Sequence, residues 1–229
     1  NIDLISTNIY NYDLRYETYY DDGQTIAISG FLKDLYNPIE IVAYSADEDN
    51  IQPINSGNAR LMGVEFEARK KFEGVISGLY ANVNASYIHS EVTIVGDEYE
   101  SRQNNLRQGE KFSDKREMQG QAPYLVNFGL SYKNKSKNLD IGLFYNVQGP
   151  TLSIVGINNR PNIYSAPFNS LNLNVLCDIN KKSKLTFSIK NILDEDRQML
   201  TQSYGSVKQI YSAYSPGKSF SFKWSYNIF

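Results

Sequence analysis

Arg102, Arg107 and Arg116 fall within one polar segment, Gly96 to Gln121, together with Asp97, Glu98, Glu100, Glu110, Lys111, Asp114, Lys115 and Glu117. A guanidinium presents a planar fork of donors that matches a carboxylate or phosphate, so these arginines suit an anionic solute such as a metal chelate. Tyr99, Tyr164, Tyr204, Tyr211 and Tyr214 can stack on a ligand. The plainer readings stand beside these: mixed charge solvates a surface, and tyrosines pack loops together. The candidate ligand contacts are therefore Arg102, Arg107, Arg116 and Tyr164. Catalysis finds no footing. His89 is the only histidine, with no Cys or second His at metal-ligand spacing, and no nucleophile-elbow motif accompanies it. An interfacial, hydrogen-bonded role suits it. Cys177 is the only cysteine and sits among apolar positions, where it acts as a small hydrophobe. No metal, cofactor or nucleotide site is expected.

These residues must be positioned by strands. Nine segments alternate apolar and polar side chains with period two: about Ile9 to Tyr20, Gln24 to Leu35, Asn58 to Phe72, Leu79 to Val95, Pro123 to Lys133, Asn138 to Gln148, Phe168 to Ile179, Lys184 to Leu193 and Gly217 to Phe229. Short connections alternate with long ones. The short turns are Asp21-Asp22-Gly23, Glu73-Gly74, Asn134 to Lys137 and Asn180 to Ser183. The long connections run to about Gly57 after Asn37-Pro38, from Gly96 to Gln121, from Gly149 to Pro167 and from Asp194 to Pro216. Antiparallel strands joined this way gather turns at one end and loops at the other, as in outer-membrane barrels.

Composition agrees with that setting. The chain has 229 residues, a net charge of −2, 18 Tyr and 11 Phe. A near-neutral balance offers no basic face for nucleic acid. No apolar run approaches the roughly 18 residues of a membrane helix. The strands are longer than is usual in globular proteins and long enough to cross a bilayer on a tilt. Aromatics mark both strand ends: Tyr16, Tyr20, Phe72, Tyr132, Trp224 and Tyr226 near the turns, and Tyr36, Tyr87, Tyr124, Tyr145, Phe168 and Phe220 near the loops. Alternation alone leaves a soluble sandwich open, with its polar face outward; the barrel turns that face inward. Asp13, Arg15, Glu17, Glu65, Glu67, Arg69, Asn82, Asn84, Asn172, Asn174 and Lys190 then point into a lumen, where their plainest role is to solvate it.

The stretch Met118 through Tyr132 resembles the start of a strand in TonB-dependent outer-membrane receptors, particularly those of Bacteroidota. So does Tyr145-Asn146-Val147-Gln148-Gly149, followed by Val155-Gly156 and Pro161 through Tyr164. Asn191 through Glu195, Asp21 through Asp34, Gly63 through Glu67 and Tyr214 through Phe220 fit in the family's order. The resemblance implies an all-β, antiparallel transmembrane barrel of 22 strands with short periplasmic turns and long extracellular loops. About nine strands lie in this chain, as the C-terminal part of one barrel domain spanning residues 1–229.

The implied function is energy-coupled uptake of a scarce small-molecule ligand, whether siderophore, other metal chelate, glycan or peptide. The implied partners are outer-membrane lipid, an N-terminal plug and barrel half lying upstream, and the TonB complex acting through that plug. The start at Asn1-Ile2-Asp3 carries no signal peptide, which fits a removed segment or a longer chain. One departure stands out. Phe229 is one residue out of phase with Phe220, Phe222, Trp224, Tyr226 and Ile228, and a terminal bulge would restore it. Two rival readings differ testably. A small closed barrel, acting as adhesin or passive pore, needs an even strand count and so a tenth strand within residues 36–57. An outer-membrane enzyme would lose hydrolysis in a His89→Ala variant.

Overall fold

The computed structural model describes residues 3–43, 51–72, 76–134, 136–158 and 160–228. β1 (Asn8–Tyr20) and β2 (Gln24–Tyr36) are followed by a short hairpin, β3 (Ile39–Ala43) and β4 (Ile51–Asn55). β5 (Ala59–Phe72) and β6 (Leu79–Thr93) lead to α1 (Gly96–Asn104) and the two-residue β7 (Lys115–Arg116). β8 (Tyr124–Asn134) and β9 (Leu139–Gln148) precede β10 (Thr151–Gly156) and β11 (Ile163–Ser165). β12 (Phe168–Asn180) and β13 (Ser183–Lys190) precede β14 (Arg197–Thr201) and β15 (Gln209–Tyr214), and β16 (Ser219–Tyr226) comes last.

The long strands pair antiparallel in the order β1-β2-β5-β6-β8-β9-β12-β13-β16, with β7 beside β6. This is the all-β wall that the alternation predicts. Among the described residues β1 pairs only with β2 and β16 only with β13, so both edges are open. Local chemistry sets the turns. Gly23 has φ +72 at the β1–β2 turn, a conformation that costs glycine nothing. Asn37 has φ 54 and Pro38 follows, so β2 ends at a bend before β3 begins. The turn at Glu73-Gly74 and the phase of Phe229 lie outside the described residues. β16 is shorter than the alternation suggests, ending at Tyr226.

Cross-strand partners share a face, so register assigns each side chain a side. One row runs Tyr16, Ile28, Phe66, Ala85, Val126 and Val147. Another runs Tyr132, Ile141, Val175, Phe187 and Phe222. Members of these rows range from half-buried to exposed, Tyr16 and Phe222 each being 69% accessible, and no second layer of described protein covers them. The opposite face carries Glu17, Ala27, Glu67, Asn84, Asn127, Asn146 and Ser170 in one row. Here Arg15 donates to Glu67 at 3.0 Å and to Glu17 at 3.3 Å, and the Asn146 amide donates to Asn127. The polar face thus carries hydrogen bonds of its own, while among the described residues no protein covers the apolar face.

The four long connections are not loops alone, as the sequence suggests. The short strands of three of them form a second sheet, β15-β14-β11-β10-β3-β4, at one end of the wall, while the fourth, Gly96 to Gln121, carries α1 and β7, which pairs with β6. The second sheet's β10–β3 pair is parallel, Val155 facing Val42 and Gly156 facing Ala43. Val42, Leu152, Val155 and Ile157 form its core, with Ile54 and Tyr164 packed against them. The strands sought within residues 36–57 exist as β3 and β4, but they pair with each other and with β10, away from the wall. Just below, the polar face turns apolar: Leu35, Ala59, Leu61 and Val92 are buried under Phe31 and Met118. That cluster packs Met118, from the connection between β6 and β8, onto the wall.

Candidate functional site

The loop sheet owes its position to a buried ion cluster. Arg116 on β7 lies between Glu40 on β3 and Glu98 on α1, and each of the three side chains is 4% accessible or less. Its Nε and Nη2 donate to Glu98 at 2.7 and 2.9 Å. Its Nη1 and Nη2 donate to Glu40 at 3.1 and 2.7 Å. Nη1 also donates to the Glu117 carbonyl at 3.1 Å, so every guanidinium donor is used. Two carboxylates against one guanidinium leave a buried negative charge. Arg102 offsets it by donating to Glu98 at 3.0 Å. Burial favours the neutral forms, yet the pairing outweighs it: Glu40 is held below its ordinary range by Arg116, and Arg116 above its own by Glu98 and Glu40. Gln119 completes the join, its backbone N–H donating to Glu40 at 2.7 Å and its amide to the Ile41 and Ser153 carbonyls at 2.7 Å.

A cleft opens against this cluster. It measures about 300 Å³, with Arg102, Arg107, Lys111, Lys115 and Arg160 as cations and Glu110 as its acid. Arg102 reaches it from α1 and also donates to Asn162 Oδ1 at 3.0 Å. The same oxygen accepts from Gly156 N at 3.0 Å, so one amide ties the helix to β10. Arg107 donates to the Tyr204 carbonyl at 3.2 Å, and the Tyr204 hydroxyl donates to the Gly109 carbonyl at 2.8 Å. These two bonds cross-link the β6–β8 and β14–β15 connections. The Tyr164 phenol receives a bond from the Asn162 amide at 3.3 Å. Burial, with the Glu117 carboxylate nearby, pushes its pKa up to about 12, so it stays neutral and able to donate. A second cavity of about 570 Å³ lies alongside, with Pro150, Ala166, Pro167 and Leu200 in its lining.

Of the four ligand contacts expected from sequence, Arg102, Arg107 and Tyr164 meet in this cleft. Arg116 does not: its donors are committed to Glu40, Glu98 and Glu117, and it holds the wall behind. Tyr164 also lines the second cavity, and Tyr204 joins it in both. Tyr99 instead packs edge-on against Phe112, at 4.9 Å between centroids. His89 lies 3.8 Å from Glu91 on the exposed apolar parity of β6. Sequence reading missed Glu40, Asn162 and Arg160. Glu40 sits in an apolar run after Pro38, where a lone carboxylate signals a buried pair, but nothing in the sequence names its partner.

A family model described as TonB dependent receptor-like, beta-barrel, matches residues 1–192. No curated protein matches the chain. Among solved structures, the copper transporter OprC superposes with a TM-score of 0.65 at 18% identity, over 98% of this chain and 32% of that one. The ferric yersiniabactin uptake receptor FyuA from Yersinia pestis gives 0.67 at 15%, over 97% and 30%. The ferric citrate transporter FecA gives 0.61 at 18%, over 94% and 31%. The chain thus spans about a third of each of these proteins, and at such identities the likeness shows the fold.

Proposed function

The chain belongs to the TonB-dependent receptor β-barrel family, and we propose from that premise that it forms one stretch of an outer-membrane receptor wall for energy-coupled uptake of a small anionic solute. The observation that carries the reading is the two-faced wall. Nine strands carry an apolar face that no described protein covers and, opposite it, a polar face with hydrogen bonds of its own. Lipid is the solvent that such an apolar face fits, and only a closed barrel satisfies the strand edges within it. Closure here calls for further strands on β1 and β16, in keeping with a 22-stranded barrel of which this is a C-terminal share. The plug and the TonB contact belong to the rest of that protein. The motif order favours a Bacteroidota source.

In this reading the loop sheet faces the outside and the turns face the periplasm. The cleft then meets the solute first, with Arg102, Arg107 and Tyr164 in contact. The solute is named by charge alone; the related structures transport copper or ferric chelates, and a chelate of that kind suits the cleft's cations. Uptake by cells producing the receptor is expected to stop when the proton-motive force is collapsed. Uptake that continues unchanged would favour the passive pore instead.

A further inference from the structure

We propose that the turn end of the wall is a docking surface for anionic phospholipid, its lysines holding headgroup phosphates of the periplasmic leaflet. The choice of leaflet rests on the receptor reading above; the charge does not. Lys70 gives the first indication. It stands on the apolar parity of β5, opposite Ala81 on β6, which faces Leu130 on β8. Ala68 and Phe72 flank it along the strand, and it is exposed. An ammonium there is costly in hydrocarbon unless its stem carries it to an anion at the boundary. β5 ends two residues later, so that boundary is within reach.

Three more exposed lysines stand at the same end, Lys137 in the β8–β9 turn and Lys181 and Lys182 in the β12–β13 turn. None of the four has a carboxylate partner among the described residues. Glu73 and Lys135 lie outside those residues. The nearby acids face other lysines: Asp178 meets Lys184 at 3.5 Å, and Asp140 is the register partner of Lys133. Asp21 and Asp22 belong to the β1–β2 turn, so the surface runs from β5 to β13. The loop end of the apolar face differs. There Arg60 pairs with Asp34 at 2.7 Å and Lys115 with Glu91 at 3.1 Å. Charge is balanced by protein at that boundary and left over at this one.

The leftover cations stand on a set backbone. The Lys182 N–H donates to Asn180 Oδ1 at 2.9 Å, and the Lys182 carbonyl accepts from the Asn227 N–H at 2.8 Å. Trp224, on the apolar face, donates through Nε1 to Ser183 Oγ at 2.7 Å. The Asp178 N–H donates to the Asn138 carbonyl at 2.9 Å and ties β12 to the β8–β9 turn. Only the lysine side chains remain to be ordered by a partner. A phospholipid meets the whole surface: its chains cover Phe72 and Trp224 while its phosphate takes the ammonium groups. A zwitterionic headgroup returns a cation for each phosphate it brings. An acidic protein would answer the turns and leave Lys70 in hydrocarbon.

The test uses the intact receptor, delipidated in detergent and titrated with phosphatidylglycerol or phosphatidylcholine of identical chains. Native mass spectrometry counts the bound lipid. Phosphatidylglycerol is expected to bind at least about tenfold tighter, since each lysine at a headgroup surface is worth about a fivefold gain. The preference shrinks as salt rises. The combined variant Lys70→Gln, Lys137→Gln, Lys181→Gln, Lys182→Gln removes it, and Arg at the same four positions keeps it. The polar-face pair Lys190→Gln, Lys223→Gln leaves it as it was. Equal affinity for the two lipids in the unaltered receptor overturns the proposal without any variant. An equal loss in the polar-face pair also overturns it, because net charge alone would then set the preference. Soluble polyglutamate that binds as tightly as phosphatidylglycerol and displaces it would give the surface to an acidic protein instead. Uptake is read separately. A lipid preference without energised uptake removes the receptor reading and keeps the surface; energised uptake without the preference removes the surface alone.

Discussion

Arg116 illustrates how a residue chosen for one chemistry can be committed to another. In sequence it looks like its neighbours Arg102 and Arg107, a cation in a polar segment. Its partner Glu40 lies 76 residues away, so neither the pairing nor the burial is legible in one dimension. Removing one member of such a cluster strands a buried charge. Arg116→Met is expected to destabilise the loop sheet by roughly 3–5 kcal/mol. Faster hydrogen exchange in β3 and β10, with β12 unchanged, is the measurement. Equal protection in variant and parent would show that the cluster carries no weight. Acid should act on the same contact. The Glu40 carboxyl titrates lower folded than unfolded, so its stabilising contribution is complete above the ordinary carboxylate value of 4.5. It is lost as pH falls through the folded value. Proteolysis of the β3–β4 and β10–β11 segments should therefore rise below about pH 4.5 in the parent and depend less on pH in Glu40→Gln.

The long strands were legible because period two persists for eight residues or more, and each row of cross-strand partners repeats the pattern. Tyr124, Val126, Phe128, Leu130 and Tyr132 announce β8 without help from its neighbours. The loop sheet was not legible, because Ile163–Ser165 and Thr151–Gly156 are too short for alternation to register. Their strand state is supplied by partners, including the parallel β10–β3 pair that brings two connections together. Asymmetry between the faces of one strand gives a sharp test. Val64 on the exposed apolar face of β5 should resist charge. Val64→Arg is expected to cost about 2–4 kcal/mol if the position lies near mid-bilayer. Its sequence neighbour Glu65, which accepts from Ser29 at 3.2 Å on the polar face, should tolerate Glu65→Gln at about 0–1 kcal/mol. Reversible unfolding of the intact receptor in lipid vesicles measures both. Similar costs at the two positions would mean the faces are not solvated differently.

At the scale of the whole molecule, β1 and β16 present backbone with no strand partner among the described residues along the wall's two edges. In lipid each unsatisfied group is costly, so the 229-residue chain alone should not give a heat-resistant monomeric barrel on refolding. A compact, protease-resistant monomer in detergent would show that the edges can meet. The orientation of the wall decides the rest of the account, and spin labels read it directly. Single cysteines are placed at Leu14, Val64 and Phe222 on the apolar face, and at Glu65, Asn84 and Ser221 on the polar face, in a Cys177→Ser background of the intact receptor in bilayers. The account predicts that labels at the first three collide with dissolved oxygen and are shielded from a water-soluble nickel chelate. Labels at the second three should show the chelate in preference to oxygen, or neither where the lumen is filled. Nickel access at Leu14, Val64 and Phe222 matching that of an exposed loop position would contradict a lipid-facing wall.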